Sequence, residues 1–237
     1  MEVMDRIETL EYLKNKWSKD ERLVVSRYSD GEYLLMNNMA GHVAESSSKL
    51  MSNLLIKAIS MPGQLVCINY LKPHNTARND IWCRVQEYLS QTGGQDIYGC
   101  CNWNVYDFSN DNELLAKLFK GNVLLVAGLA DEASDFFKDI QPNMAFYKTP
   151  SKGAVLKYKE IRSDILSICD KYKTIIFACG PISKVLTADF IDRCECNLID
   201  MGAVLNAILN MTNKWPMSWA KGVDIENQIK KLCEGIV

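Results

Sequence analysis

The residues best equipped for chemistry are Arg27-Tyr28-Ser29-Asp30-Gly31-Glu32, which close the apolar run Leu23-Val24-Val25. Two carboxylates stand at i and i+2 around a glycine, where a strand should end. In an open α/β sheet, ligands sit at the carboxyl ends of buried strands. Paired acids there suit a hard divalent cation, which takes oxygen ligands and bridges a protein carboxylate to substrate phosphates. Arg27 adds a fixed cation able to fork onto phosphate or carboxylate. Taken alone, the six residues read first as a turn, because Ser, Asp and Gly are ordinary turn residues.

The elements that must position this segment follow from hydrophobic patterning. Short β-rich runs occupy 23–28, 64–70, 122–128, 174–180 and 197–202. Helical spacing predicts helices over 48–59, 78–89, 113–119, 132–140, 155–172, 184–193, 204–211 and 224–233. Strand–helix alternation of this kind predicts an α/β, Rossmann-like fold, with a mainly parallel sheet and helices on both faces. The stretch 92–112, with Trp103 and Tyr106 inside it, reads as an irregular excursion. It is either a functional loop or a surface loop pinned by its aromatic residues. The chain reads as one domain over 1–237, with a helical extension from about residue 212.

Composition narrows the function classes. The 237 residues are 48% apolar, enough for a sizeable core, and 27 basic residues nearly balance 29 acidic ones. No basic face is implied, which argues against a general nucleic-acid binder. The first residues are charged throughout, and no run approaches a membrane span. Nine cysteines, an odd number without C-x-x-C pairs, fit reduced thiols in a cytoplasmic protein. With only His42 and His74 besides, a structural zinc site lacks its usual ligand spacing. Both histidines read as ordinary polar residues, and His74, between Pro73 and Asn75, keeps a small prospect of touching substrate.

A second anion-binding candidate begins at Gly180-Pro181-Ile182-Ser183-Lys184, where a strand turns into a helix. Gly180 lets a ligand approach the backbone, and Pro181 can start a helix without losing a needed donor. Ser183 can cap or offer a hydroxyl. Lys184 opposes the helix dipole unless an anion lies nearby. Neither the Walker nor the dinucleotide glycine pattern is present. The next strand ends at Asp200-Met201-Gly202. Parallel strands would gather Asp30, Gly180 and Asp200 on one sheet edge.

This ordered set resembles the GT-D-type bacterial glycosyltransferases. Their R-[FY]-G-D-G-E, G-P-[TS]-[AS]-K-V-L and I-D-[IL]-G segments match Arg27 to Glu32, Gly180 to Leu186 and Ile199 to Gly202. Pro150, Gly153, Ala154 and Tyr158 match a further P-x-x-[NG]-A and Y-x-x-I segment. The resemblance implies a transferase that moves a sugar from a nucleotide-diphosphate donor, a UDP-hexose, to a glycan, glycoprotein or glycolipid acceptor. It implies that Asp30 and Glu32 bind Mn2+ or Mg2+ on the donor pyrophosphate. Arg27, Tyr28, Gly31, Gly180, Pro181, Ser183, Lys184 and Gly202 would then surround the donor, and Asp200 would orient a hydroxyl or join Asp30 and Glu32 as a catalytic candidate. Two departures stand out: Ser29 replaces a common glycine, and Ala203-Val204-Leu205-Asn206 stands where many members carry His-Ile-Asp. Trp103, Tyr106, Trp215 and Trp219 could stack on an acceptor sugar, although core packing is the commoner fate of such residues. A phosphosugar hydrolase and a non-catalytic nucleotide-sugar or partner-binding module are the competing readings. Self-association, donor identity and anomeric outcome are open at this level.

Overall fold

Runs of Val, Leu, Ile and Phe with no charge inside them become strands buried on both faces, and these build the centre of the molecule. The structure, a computed structural model, describes residues 2–37, 49–69, 89, 95–209 and 222–237. His42, His74, Trp215, Trp219 and nearly all of the helix expected at 78–89 lie outside the described residues. Among the described residues eight strands are seen: β1 Glu2–Val3, β2 Val24–Arg27, β3 Leu65–Ile68, β4 Ile97–Cys100, β5 Val123–Ala127, β6 Ala145–Lys148, β7 Thr174–Ala178 and β8 Asn197–Asp200. They form one sheet in the order β1-β4-β3-β2-β8-β7-β5-β6, and every pairing is parallel.

Helices cover both faces. On one lie α2 (Asp30–Met36), α3 (Lys49–Ile59), α7 (Tyr158–Leu166) and α8 (Ile182–Asp189). On the other lie α1 (Arg6–Ser18), α4 (Trp103–Ser109), α5 (Glu113–Phe119), α6 (Ala130–Phe137), α9 (Val204–Ile208) and α10 (Ile225–Ile236). Strand alternation feeds each core in turn: Leu124, Val126, Ile175 and Phe177 point into the first, and Leu125, Ala127 and Ile176 into the second. At the centre, β2 and β8 pair through Val24–Leu198 and Val25–Ile199. The chain leaves β2 toward one face through α2 and leaves β8 toward the other through α9. A crevice between their carboxyl ends follows from that divergence.

The five expected strands are present. Of the stretch 92–112, the described residues 95–112 are not irregular, because they contain β4 and α4. Trp103 is fully buried there, and Tyr106 lies under the Arg6 guanidinium at 4.9 Å. The long helix expected over 155–172 is broken into a 3-10 turn at Ala154–Lys157, then α7, then a second 3-10 turn at Cys169–Lys171. The terminal helix is capped by Asp224, whose Oδ1 accepts from Asn227 N at 3.1 Å. It docks on α5 through the Asn112 side-chain amide, which donates to the Gln228 carbonyl at 2.9 Å.

One buried acid gives the fold a pH response. Asp107 is fully buried at the end of α4 and accepts from Leu115 N at 2.8 Å and Leu114 N at 3.4 Å. Burial pushes its carboxyl from 3.8 up to about 7, the two N–H bonds oppose that rise, and the neighbouring Asp111 adds to it. The folded state therefore holds this proton more tightly than the unfolded chain does. Its favourable contribution is present below about pH 4 and declines as pH rises to 7. Asp107→Asn keeps an acceptor for α5 and carries no such proton. The difference in urea midpoint between variant and wild type should grow in the variant's favour from pH 5 to pH 8. A constant difference across that range would remove Asp107 as the source.

Candidate functional site

β2 ends at Arg27 and runs through Tyr28 and Ser29 directly into α2, so Asp30 and Glu32 fall in the first turn of a helix. The Ser29 N–H donates to Glu32 Oε2 at 2.9 Å, and Asp30 Oδ1 accepts from Ser29 Oγ at 3.0 Å and Gly31 N at 3.1 Å. These bonds are why S-D-G-E starts a helix here and does not form a free turn. Acidic residues in a first turn also face the positive end of the helix dipole.

At the adjacent strand end, Asp200 is completely buried. Its Oδ2 accepts from Arg27 N at 3.0 Å and its Oδ1 from Gly202 N at 3.1 Å, which ties the ends of β2 and β8 together. Lys184 enters from the first turn of α8. Its Nζ lies 3.1 Å from Glu32 Oε1 and 3.0 Å from Asp200 Oδ2, with only 4% of the side chain exposed. Burial by itself would lower the lysine pKa, but the charges of Asp200 and Glu32 outweigh burial and the opposing Arg27, and raise it. Lys184 is therefore an ammonium at neutral pH, clamped between two carboxylates from different elements. That clamp resolves the conflict between a lysine and the dipole of its own helix.

The other expected residues have definite places. Arg27 points to the opposite face of the sheet, where Nη1 donates to Met201 O at 2.8 Å and Nε donates to Cys101 O. Its guanidinium thus fastens three strand ends, β2, β4 and β8. Tyr28 is buried beside the acids with no hydrogen-bond partner for its hydroxyl, and burial followed by the charges of Asp200 and Glu32 raises its pKa. Gly31 is buried in the first turn of α2. Ser183 is fully buried, and its Oγ accepts from Cys179 N at 3.1 Å, so its hydroxyl closes the turn. Pro181 precedes α8 in helical conformation. Gly180 has φ +70 and is exposed, with nothing within 4 Å of where a Cβ would stand. A ligand could therefore reach its backbone without steric opposition.

Gly202 is the tightest glycine of the site. Its φ is +57, and a Cβ there would collide with Arg27 Nη1, which Met201 O holds in place. Gly202→Ala should therefore lose about 1–3 kcal/mol of stability through left-handed strain, besides displacing the guanidinium. Thermal unfolding of the variant measures this, and an unchanged melting temperature would contradict it.

Thr149, with a buried and unpartnered hydroxyl at the end of β6, was not singled out by sequence, nor was the β5–β6 loop pair in which Gly128 packs against Ser151. Threonine after an edge strand carries no signal in a single sequence. Among the described residues no three His, Cys, Asp or Glu side chains converge as a metal cage, and no helix is long and apolar enough to cross a membrane.

No family model matches the sequence, and no curated protein matches it. Solved structures do. One, described as the highly conserved domain of unknown function 1792 with a distinct glycosyltransferase fold, is 20% identical; the match covers 92% of this chain and 83% of that one, with a TM-score of 0.64. Another, described as a new glycosyltransferase (DUF1792) from Streptococcus sanguinis, is 19% identical over 92% of this chain and 86% of that one, with a TM-score of 0.68. This chain shares the fold of these structures: a parallel α/β sheet covered by helices on both faces.

Proposed function

We propose that this protein is a metal-assisted glycosyltransferase that moves a sugar from a nucleotide-diphosphate donor to a glycan or glycoconjugate hydroxyl. The observation that carries the reading is the Glu32–Lys184–Asp200 cluster at the carboxyl ends of β2 and β8, with the open Gly180 turn leading into the helix that bears Lys184. The motif resemblance and the shared fold support the same reading, and a UDP-hexose is the donor that the resemblance favours.

The charge of the cluster bears on the cofactor. Arg27 and Lys184 supply two positive charges against three from Asp30, Glu32 and Asp200. An anionic diphosphate meets one net negative charge there, which favours recruitment of a divalent cation with it. The residues fit such an ion in one way better than another. Both Glu32 oxygens are already engaged, one by Lys184 and one by Ser29 N. Asp30 is half-buried in the first turn of α2, where its Oδ1 accepts from Ser29 Oγ and Gly31 N. Asp30, which the motif resemblance places on the ion, is the ligand we assign to Mn2+ or Mg2+ together with donor phosphate oxygens, and Glu32 acts by holding Lys184. The ion would neutralise charge on the departing diphosphate as a Lewis acid.

The chain's own groups then have separable tasks. Lys184 gives the site a fixed positive charge that needs no reorganisation when the diphosphate leaves. Arg27 and Asp200 keep the three strand ends in register. Gly180 leaves backbone open to a phosphate, and the crevice between the diverging α2 and α9 admits the donor.

The test is a thermal-shift screen with UDP, UDP-glucose, UDP-galactose, UDP-N-acetylglucosamine and GDP-mannose, each with and without Mn2+. Binding to the native state raises the melting temperature by mass action. The expected result is a shift that needs nucleotide and metal together and that disappears in Asp30→Ala. Shifts with nucleotide alone would overturn the metal assignment, and no shift with any donor would overturn the transferase reading.

A further inference from the structure

The amino ends of β7 and β8, opposite the candidate site, hold a group of thiols that the transferase reading does not use. Cys194 and Cys196 flank Glu195 in the connection from α8 to β8, and their sulfurs are 3.4 Å apart. Both are nearly buried, at 5% and 6% exposure. Cys196 nevertheless lines a half-open cavity of about 490 Å³, together with Trp17, Arg22, Cys169, Lys173 and Glu195. The connection is held firmly: Arg22 donates to the carbonyls of Cys196 and Ile191, each at 2.8 Å, and to that of Phe190 at 3.4 Å. The two thiols therefore face each other across a fixed loop, and Cys196 borders the cavity.

We propose that Cys194 and Cys196 form a reversible dithiol–disulfide site, oxidised by a low-molecular-weight disulfide that enters this cavity. The Cys196 thiolate attacks one sulfur of the oxidant, forming a mixed disulfide and releasing one thiolate. The Cys194 sulfur, on losing its proton, attacks the Cys196 sulfur and expels the second thiolate. Two protein thiols are oxidised and one small disulfide is reduced to two thiols. Closure from 3.4 Å to the bonded distance of about 2 Å moves the sulfurs by little more than an ångström.

The cavity assigns the order of attack, because Cys196 lines it and Cys194 does not. The contact with Cys194 lowers the Cys196 pKa against the effect of burial, and the Arg22 charge contributes in the same direction. Cys194 is raised by the same contact and by burial. Thiolate character on the cavity-lining sulfur is what thiol–disulfide exchange requires. A bridge spanning one residue is strained, and strained disulfides are the readily reduced ones.

The experiment uses the full chain and oxidised glutathione. After incubation and an acid quench, remaining thiols are blocked with N-ethylmaleimide in denaturant, and the protein is cut with trypsin. Cleavage after Arg193 and Lys214 yields the peptide 194–214, whose only cysteines are Cys194 and Cys196. The expected result is two labels on this peptide from reduced protein. Oxidised protein should give none, with a mass lower by two hydrogens, and dithiothreitol should restore both labels. Two labels after oxidation, a lasting glutathione on one cysteine of the wild type, or a cross-link to Cys169 would each overturn the proposal. In Cys194→Ser, the glutathione should remain on Cys196; a 194–214 peptide without that adduct would overturn the order of attack. The wild-type map stands whether or not this variant folds.

Discussion

Lys184→Ala should lower the melting temperature by roughly 6–20 °C. The clamp places Lys184 Nζ within 3.1 Å of two carboxylates that are themselves buried. Removing one member of a buried ion pair leaves uncompensated charge in low dielectric, a loss of about 3–5 kcal/mol, and a chain of this length shifts by roughly 2–4 °C per kcal/mol. Here two acids lose their partner at once. The direct check is thermal unfolding at neutral pH. A triple variant, Lys184→Met with Glu32→Gln and Asp200→Asn, should recover much of the loss without recovering turnover, because it removes all three charges together. A melting temperature unchanged in Lys184→Ala would show that the lysine serves donor binding alone.

The two acids of the D-x-E segment should separate under mutation although they are two residues apart. Asp30→Ala should cut turnover by at least about 100-fold while the melting temperature stays within a few degrees. The first figure follows from several kcal/mol of Lewis-acid stabilisation at tenfold per 1.36 kcal/mol; the second follows from the modest worth of the first-turn bonds to Ser29 Oγ and Gly31 N. Glu32→Ala should behave in the opposite proportion on stability. It strips Lys184 of one counter-charge and Ser29 N of its acceptor, which places the loss in the range of about 1–3 kcal/mol or above. Release of nucleoside diphosphate from the donor, read beside thermal melts of both variants, decides this. Equal stability losses would mean that Asp30 belongs to the structural cluster as well.

The arrangement of charged residues explains what sequence reasoning could reach. The β2, β3, β5, β7 and β8 runs are legible because a strand buried on both faces must be apolar throughout. Glu2–Val3 and Ala145–Lys148 are not, since a two-residue strand has no periodicity and a half-exposed edge strand resembles loop; Ile97–Cys100 is buried but short, and its Gly99 reads as loop. The convergence of Asp30, the Gly180 turn and Asp200 on one edge follows from parallel topology and was readable. The opposite facing of Arg27 and Lys184 was not. It depends on which side of a strand each residue falls, and that is fixed only when the register of β2 against β8 is known. Hence Arg27, expected on phosphate, fastens carbonyls, while Ser183, expected either to cap or to offer its hydroxyl to a ligand, closes the backbone turn.

The pairing of β2 with β8 also has a consequence for biogenesis. The partners that close the middle of the sheet are 173 and 174 residues apart, as in Arg27 N to Asp200 and Leu23 N to Asn197. During synthesis, β2, β3 and β4 leave the ribosome with an open central edge, and Glu32 waits without its ammonium. The last strand inserts between segments already made and supplies the final hydrogen-bond ladder on both its sides. Long-range closure of this kind makes folding slow and exposes an unpaired edge meanwhile. Chains truncated before residue 197 should therefore be the species that chaperones retain.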